Sequence, residues 1–228
     1  MARTVVTVVL RTNPNPDPTP SLLMITSEAE PAHIAAGEVI RRGGVIAFRT
    51  DTFYGLGADP ANASAVRQVA DLKGREGKPI LVLISDPQLL SRYLHHTSEL
   101  FNKVADHFWP GPLTLIGKAT REMPNELTAG SGTVGIRLPA DDAVRALLRS
   151  CGGALTATSA NPTGKPPART AAEVGRYFQN GVDLIVDGGD VSATEPSTVV
   201  DLSGPNLVVV REGAIRSKEL NLFLQEYE

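Results

Sequence analysis

VIAFRTDTFYGLG, residues 45–57, changes character halfway along. Val45, Ile46, Ala47 and Phe48 are apolar and follow Gly43-Gly44, the pattern of a buried strand leaving a turn. Arg49, Thr50, Asp51, Thr52 and Tyr54 then arrive together, ahead of Gly55 and Gly57. Hydroxyls and a charge pair are costly inside a core. They suit the rim of a sheet, where a ligand sits and glycines let backbone come close. They equally suit a capped turn, because Asp, Thr and Gly are ordinary turn residues. This window alone leaves both readings open.

Working outward, strands and helices interleave. Ser27 with Glu30 resembles a capping box and Pro31 suits a first turn, so a helix is expected over 27–42, closed by Gly43. Further helices are expected over 62–73, 86–94, 97–108, 139–151 and 170–178. Strands are expected over 80–84, 113–118, 133–138, 154–158, 184–186, 198–202 and 207–210, the last two joined by a hairpin-like turn at Ser203-Gly204-Pro205. Residues 121–132 read as irregular and the C-terminal tail as mildly amphipathic. Residues 1–12 could form one short strand. Asn13 to Pro20 alternates proline with polar residues and reads as an extended linker, so 1–20 are expected to be peripheral to a domain over 21–228. The pattern argues for one three-layer α/β domain around a mixed sheet, with polar clusters at element junctions lining a shared cleft.

Composition narrows the function. The chain has 228 residues, is 42% hydrophobic and 21% charged, and carries a net charge of −3. A protein living on non-specific phosphate contacts would be basic, so any anion site here is a local patch. No run approaches the ~18 apolar residues of a membrane span, and the N-terminus lacks a secretory signal. The single cysteine, Cys151, shares a helical face with Val144, Leu147 and Leu148 and reads as core. These features make the cytoplasm the expected compartment.

Three places offer chemistry. Lys73 continues the apolar stripe Val66, Val69, Ala70, either packing its stem with the amine in water or serving a site. It opens KGREGKP, where Lys73, Arg75 and Lys78 form either a solvated charge run or an anion cradle whose glycines leave N–H groups accessible. Arg137 lies in the apolar TVGIRL, where a guanidinium wants a carboxylate from the protein or from a ligand. SANPTGKPPART, residues 159–170, offers Ser159, Asn161, Thr163 and Gly164 on a proline-stiffened loop. Other chemistries are excluded: there is no P-loop, no third glycine after Gly55-Leu56-Gly57, no G-x-S-x-G elbow and no Cys-x-x-Cys pair. His95 and Glu99 are four apart but have no third ligand at useful spacing, so a zinc site is not expected and no residue is assigned to a metal.

Taken in order, RTDTFYGLG, KGREGKP, FWPGPLTLI, TVGIRLP, TSANPTGKP, PSTVVD and VVREGAI resemble the motifs of the YrdC/Sua5 family of threonylcarbamoyl-AMP synthases, over roughly residues 30–216. The resemblance is to the short, stand-alone form of the domain. It implies a twisted mixed sheet with helices on both faces and a large concave cleft. It implies a nucleotidyltransferase that joins L-threonine, bicarbonate or CO2, and ATP with Mg²⁺ into threonylcarbamoyl-AMP and pyrophosphate, for tRNA threonylcarbamoyladenosine modification. A downstream threonylcarbamoyl transferase complex, and tRNA itself, are the implied partners. By the same resemblance, Thr52, Arg137 and Ser197 hold threonine. Arg75 and Lys78 bind phosphates, with Lys73 beside them as a catalytic group. Thr133, Ser159 and the backbone around Ala157 and Pro167 bind ATP, and Arg211 closes the nucleotide side. The chain departs from the family at Leu83, where many members carry histidine, and at Arg49, which replaces a proline. Two rival readings are an RNA-binding module of the same fold without synthase activity and a structural subunit of a tRNA-modification complex.

Overall fold

A computed structural model describes residues 6–9, 23–27, 30–74, 77–193 and 195–226. In chain order the first half contains β1 (Val6–Val9), β2 (Leu23–Ser27), α1 (Glu30–Arg41), β3 (Ile46–Arg49), β4 (Tyr54–Gly57), α2 (Ala63–Lys73) and β5 (Leu81–Ile84). A 3₁₀ turn, α3 (Leu90–Tyr93), α4 (Glu99–Phe108), β6 (Leu113–Lys118), α5 (Asn125–Thr128) and β7 (Thr133–Arg137) follow. The chain continues through α6 (Asp142–Ser150), β8 (Ala154–Ser159), α7 (Ala171–Tyr177), β9 (Leu184–Asp187), β10 (Thr198–Asp201), β11 (Val208–Arg211) and α8 (Ser217–Gln225).

The described strands form one mixed sheet in the order β1-β2-β9-β3-β4-β8-β5-β7-β6-β10-β11. β8 is its hinge. Its first four residues pair antiparallel with β5, from Ala154↔Ile84 to Ala157↔Leu81, while Thr158 and Ser159 pair with Leu56 and Gly55 of β4.

The two faces of the sheet bury different clusters, as strand alternation requires. On one face Val82, Ile84, Leu115, Ile136 and Ile185 pack with Val66 and Val69 of α2, Phe101 and Val104 of α4, and Val174 of α7. On the other, Ile46, Phe48, Leu155 and Leu184 pack with Ala36 and Ile40 of α1 and Val144, Leu147 and Leu148 of α6. These are the three expected layers, and Cys151 joins the second cluster with its thiol pushed up to about 12 by burial.

The sequence reading is corrected at several elements. Gly55 and Gly57 belong to a strand absent from the expected set, β4, which forms a hairpin with β3. A Cβ on Gly57 would lie 2.7 Å from the Phe48 ring, so the close approach served by this glycine is to the core. α1 begins at Glu30 rather than 27, because Ser27 is the last residue of β2, a strand with no counterpart in the expected set. The expected helix over 86–94 is a 3₁₀ turn plus the single turn of α3, and α5 interrupts the segment read as irregular. Within the predicted strand of residues 1–12, Val6–Val9 pairs antiparallel with β2 at the edge of the sheet. The linker over 13–20 lies outside the described residues.

Candidate active site

A cleft of about 600 Å³ opens on the sheet face that carries α1 and α6, beyond the area those helices cover. Among the described residues, no helical one lines it. Its floor is the alternating set Leu81 and Leu83, Thr114 and Ile116, Gly135 and Arg137, Ala157 and Ser159, with Ser197 and Val199 beside them. Their neighbours Val82, Leu115, Val134 and Ile136 point into the opposite core. One strand periodicity thus produces both a sealed core and a chemically varied floor.

The β3–β4 hairpin closes one wall. Arg49↔Tyr54 is its last pair, which leaves Thr50 to Phe53 as the turn. Thr50 organises that turn from within: Oγ1 donates to Phe53 O at 2.6 Å and accepts from the amides of Thr52 and Phe53. Thr52 Oγ1 lies 3.1 Å from Thr50 Oγ1. The turn is therefore both a capped turn and a cleft wall, and the two sequence readings were one structure. Below it the Tyr54 hydroxyl reaches Gly189 O at 2.9 Å and Asp187 Oδ1 at 3.1 Å; burial and that carboxylate raise its pKa.

Arg137 is 3% exposed. Its Nε donates to Gly111 O at 3.1 Å, Nη1 points to Thr52 Oγ1 at 3.4 Å, and Nη2 is paired with Asp51. The FWPGP turn thus has a purpose beyond reversing the chain: it aims the Gly111 carbonyl at the guanidinium. Burial lowers the Arg137 pKa and Asp51 opposes the shift, so the group stays charged.

Ser197 is buried just before β10. Its Oγ lies 3.1 Å from Thr114 Oγ1, and Arg211 Nη2 donates to Ser197 O at 2.8 Å. The chain passes close behind it, since a Cβ on Gly213 would fall 2.2 Å from Pro196 O.

Of the sequence-predicted residues, Thr52, Arg137, Ala157, Ser159, Pro167, Ser197 and Arg211 all line this cleft. Thr133 is half-buried on the same strand face, two residues beyond Gly135, and its hydroxyl meets Ser131 Oγ at 3.0 Å. Lys78 is exposed and borders the cleft through Pro79. Arg75 lies outside the described residues. Lys73 does not leave its amine in water: it is 5% exposed and donates to Ser159 O at 2.6 Å and Asn161 Oδ1 at 3.1 Å. Its own carbonyl accepts from Thr163 Oγ1 at 2.7 Å, which ties the end of α2 to the SANPTGKP loop. Gly74 does not offer a free N–H either, because it caps α2 in the left-handed conformation and donates to Ala70 O and Asp71 O.

Sequence reasoning missed Asp51 as the partner of Arg137, and missed Thr114 and Phe53 in the lining. Thr114 had a readable signal: it is the one hydroxyl in LTLIG, in step with Ile116 on the face opposite Leu113 and Leu115. Among the described residues no group of three or more His, Cys, Asp or Glu side chains could hold a metal, and no helix is long and apolar enough to cross a membrane.

Comparison with known proteins points the same way. The Sua5/YciO/YrdC family model, which carries the description "Telomere recombination", matches residues 38–213. The threonylcarbamoyl-AMP synthase of Thiobacillus denitrificans is 42% identical over 182 residues, covering 79% of this chain and 96% of that protein. The crystal structure of Pyrococcus abyssi Sua5 complexed with L-threonine superposes with a TM-score of 0.80 at 34% identity, over 86% of this chain and 57% of that one. This chain therefore spans somewhat more than half of the longer archaeal protein. Escherichia coli YciO matches with a TM-score of 0.76 at 29% identity, over 84% of this chain and 93% of that chain.

Proposed function

The chain belongs to the Sua5/YciO/YrdC family, and on that premise we propose that it is a threonylcarbamoyl-AMP synthase. Its substrates are L-threonine, bicarbonate or CO2, and ATP brought in with Mg²⁺. The observation that carries this reading is the convergence of Thr52, Ser159, Ser197, Arg137 and Arg211, from five separate parts of the chain, on one cleft. The relatives' names favour the synthase over the RNA-binding module.

In this reading the Arg137 guanidinium takes the threonine carboxylate through charge-assisted hydrogen bonds, with Thr52 and Ser197 beside it. The threonine amine adds to CO2 and sheds a proton to give a carbamate. A carbamate oxygen then attacks the α-phosphorus of ATP in line, the bond from that phosphorus to the bridging oxygen breaks, and pyrophosphate leaves. Arg75 and Lys78 neutralise the departing charge. Ser159, held in place by Lys73, contacts the nucleotide with Thr133 and the backbone at Ala157 and Pro167, while Arg211 closes the other side. No side chain is assigned as general base; holding the reactants together is worth about 7–11 kcal/mol in favourable cases. The product supplies a downstream threonylcarbamoyl transferase complex acting on tRNA, and the work is done in the cytoplasm.

The test mixes purified protein with Mg-ATP, L-threonine and bicarbonate. Pyrophosphate release that stops when threonine is omitted is the expected result. Threonine-independent release, or none, overturns the reading.

A further inference from the structure

Arg137 carries a fixed charge on the cleft floor, and a buried guanidinium without a counter-charge is strongly unfavourable. Asp51 supplies that counter-charge from an unusual place. It stands on the four-residue turn between β3 and β4 rather than on a strand, and its side chain is 20% exposed, with a path to solvent. The donors of Arg137 are divided in a telling way. Nε is committed to Gly111 O, on the side away from the turn, whereas Nη1 and Nη2 face Thr52 and Asp51. The outer fork is the edge that grips a carboxylate in two-pronged fashion, and a protein carboxylate already stands on it.

We infer that Asp51 is a stand-in for the substrate's carboxylate: it neutralises Arg137 until the carboxylate of an amino acid takes the same guanidinium and displaces it. The inference rests on the assignment of Arg137 to threonine made above. Two carboxylates on one fork repel each other, so one must leave or take up a proton. The turn residue can leave by a side-chain rotation, because Thr50 holds the turn's backbone without using Asp51. Two properties follow. The guanidinium stays charged, paired and correctly aimed at all times. The exchange also filters ligands, since only one that brings its own carboxylate can repay Arg137 for the lost partner.

Asp51→Asn keeps the shape and removes the competing charge. Calorimetric titration of wild type and variant with L-threonine, L-threoninol and Mg-ATP tests the inference. L-threonine is expected to bind the variant roughly three- to tenfold more tightly, with L-threoninol and Mg-ATP unchanged, because only the carboxylate competes with Asp51. Unchanged or weaker L-threonine binding overturns the inference, and so does equal tightening of L-threonine and Mg-ATP, which marks a general charge effect. If wild type binds no L-threonine and releases no threonine-dependent pyrophosphate, the assignment of the site fails first and takes the inference with it. Should the variant not fold, a crystal structure of wild type with L-threonine decides. Asp51 turned away from Arg137 supports displacement, and Asp51 still paired with it refutes displacement.

Discussion

At the Arg137 end of the cleft, polar groups stand on strands or on turns tied directly to them. Arg137 is on β7, Thr114 on β6 and Ser197 immediately before β10, and each is fixed by a partner from another element. The described residues around the end of α2 are arranged differently: Lys78 is exposed, whereas Lys73 is buried and donates its amine to Ser159 and Asn161. The difference teaches which part of the chemistry is prepared in advance. In the proposed reading a carboxylate finds donors already aimed, whereas the phosphates gather a cation, Lys78, that the sheet leaves exposed. Binding and folding are therefore coupled at the first end and separable at the second.

Arg137→Ala should break this contrast most severely. It removes the donor proposed for the substrate carboxylate and strands Asp51 beside the cavity left behind. Threonine kcat/KM is expected to fall at least a hundredfold, and the melting temperature should drop with it, since losing one partner of a buried pair costs about 3–5 kcal/mol. A variant with wild-type kcat/KM in the pyrophosphate assay would remove the amino-acid end altogether.

Lys78→Ala sharpens the comparison from the other side. Pyrophosphate release should fall roughly ten- to a hundredfold through lost charge stabilisation, while the unfolding free energy stays within the range of surface substitutions, about ±0.5 kcal/mol. If stability falls as well, the loop is part of the prepared structure and the contrast is wrong.

Lys73→Met is the intermediate case. It keeps the apolar stem on the Val66–Val69 stripe but leaves the Ser159 carbonyl and Asn161 Oδ1 short of a donor. A loss of about 1–3 kcal/mol in denaturant unfolding is expected. KM should rise for ATP rather than for threonine, because the groups that lose their anchor are on the Ser159 loop.

This contrast also explains what the sequence revealed. Strand-borne site residues were legible because alternation fixes their face: once TVGIRL is a strand, Arg137 shares a side with Gly135 and Thr133 while Val134 and Ile136 go into the core. The helix stripe through Lys73 was legible too, and its burial followed. The partner of that amine was not, because Ser159 is 86 residues away and nothing local announces the contact. Asp51 was hidden for a related reason. In RTDTFYGLG it reads as a turn former, and only the assembled sheet, with β8 and β5 between β4 and β7, places it beside Arg137. Gly55 does line the cleft, whereas Gly57 misled, because a glycine serving close packing within a sheet looks, in sequence, like one serving a ligand.

The smallest effect concerns the link from the hairpin to α6. Arg49 pairs with Asp141 at 2.7 Å, and the other oxygen of Asp141 caps the helix through the amides of Ala143 and Val144. Burial alone would raise this carboxyl, but Arg49 and the two amides outweigh it and hold the pKa below the ordinary value. A carboxyl depressed in the folded state stabilises the fold fully above its unfolded value, about 3.9, and loses that contribution as the pH falls through the folded value. Asp141→Asn isolates the charge, because asparagine caps helices about as well as aspartate. At pH 7 the variant should melt only a degree or two lower, as expected for a pair worth about 0.5–1 kcal/mol. That gap should narrow as the pH is lowered below about 4. A gap that widens in acid would mean that Asp141 is not the group holding Arg49, and that the hairpin beside the cleft is anchored elsewhere.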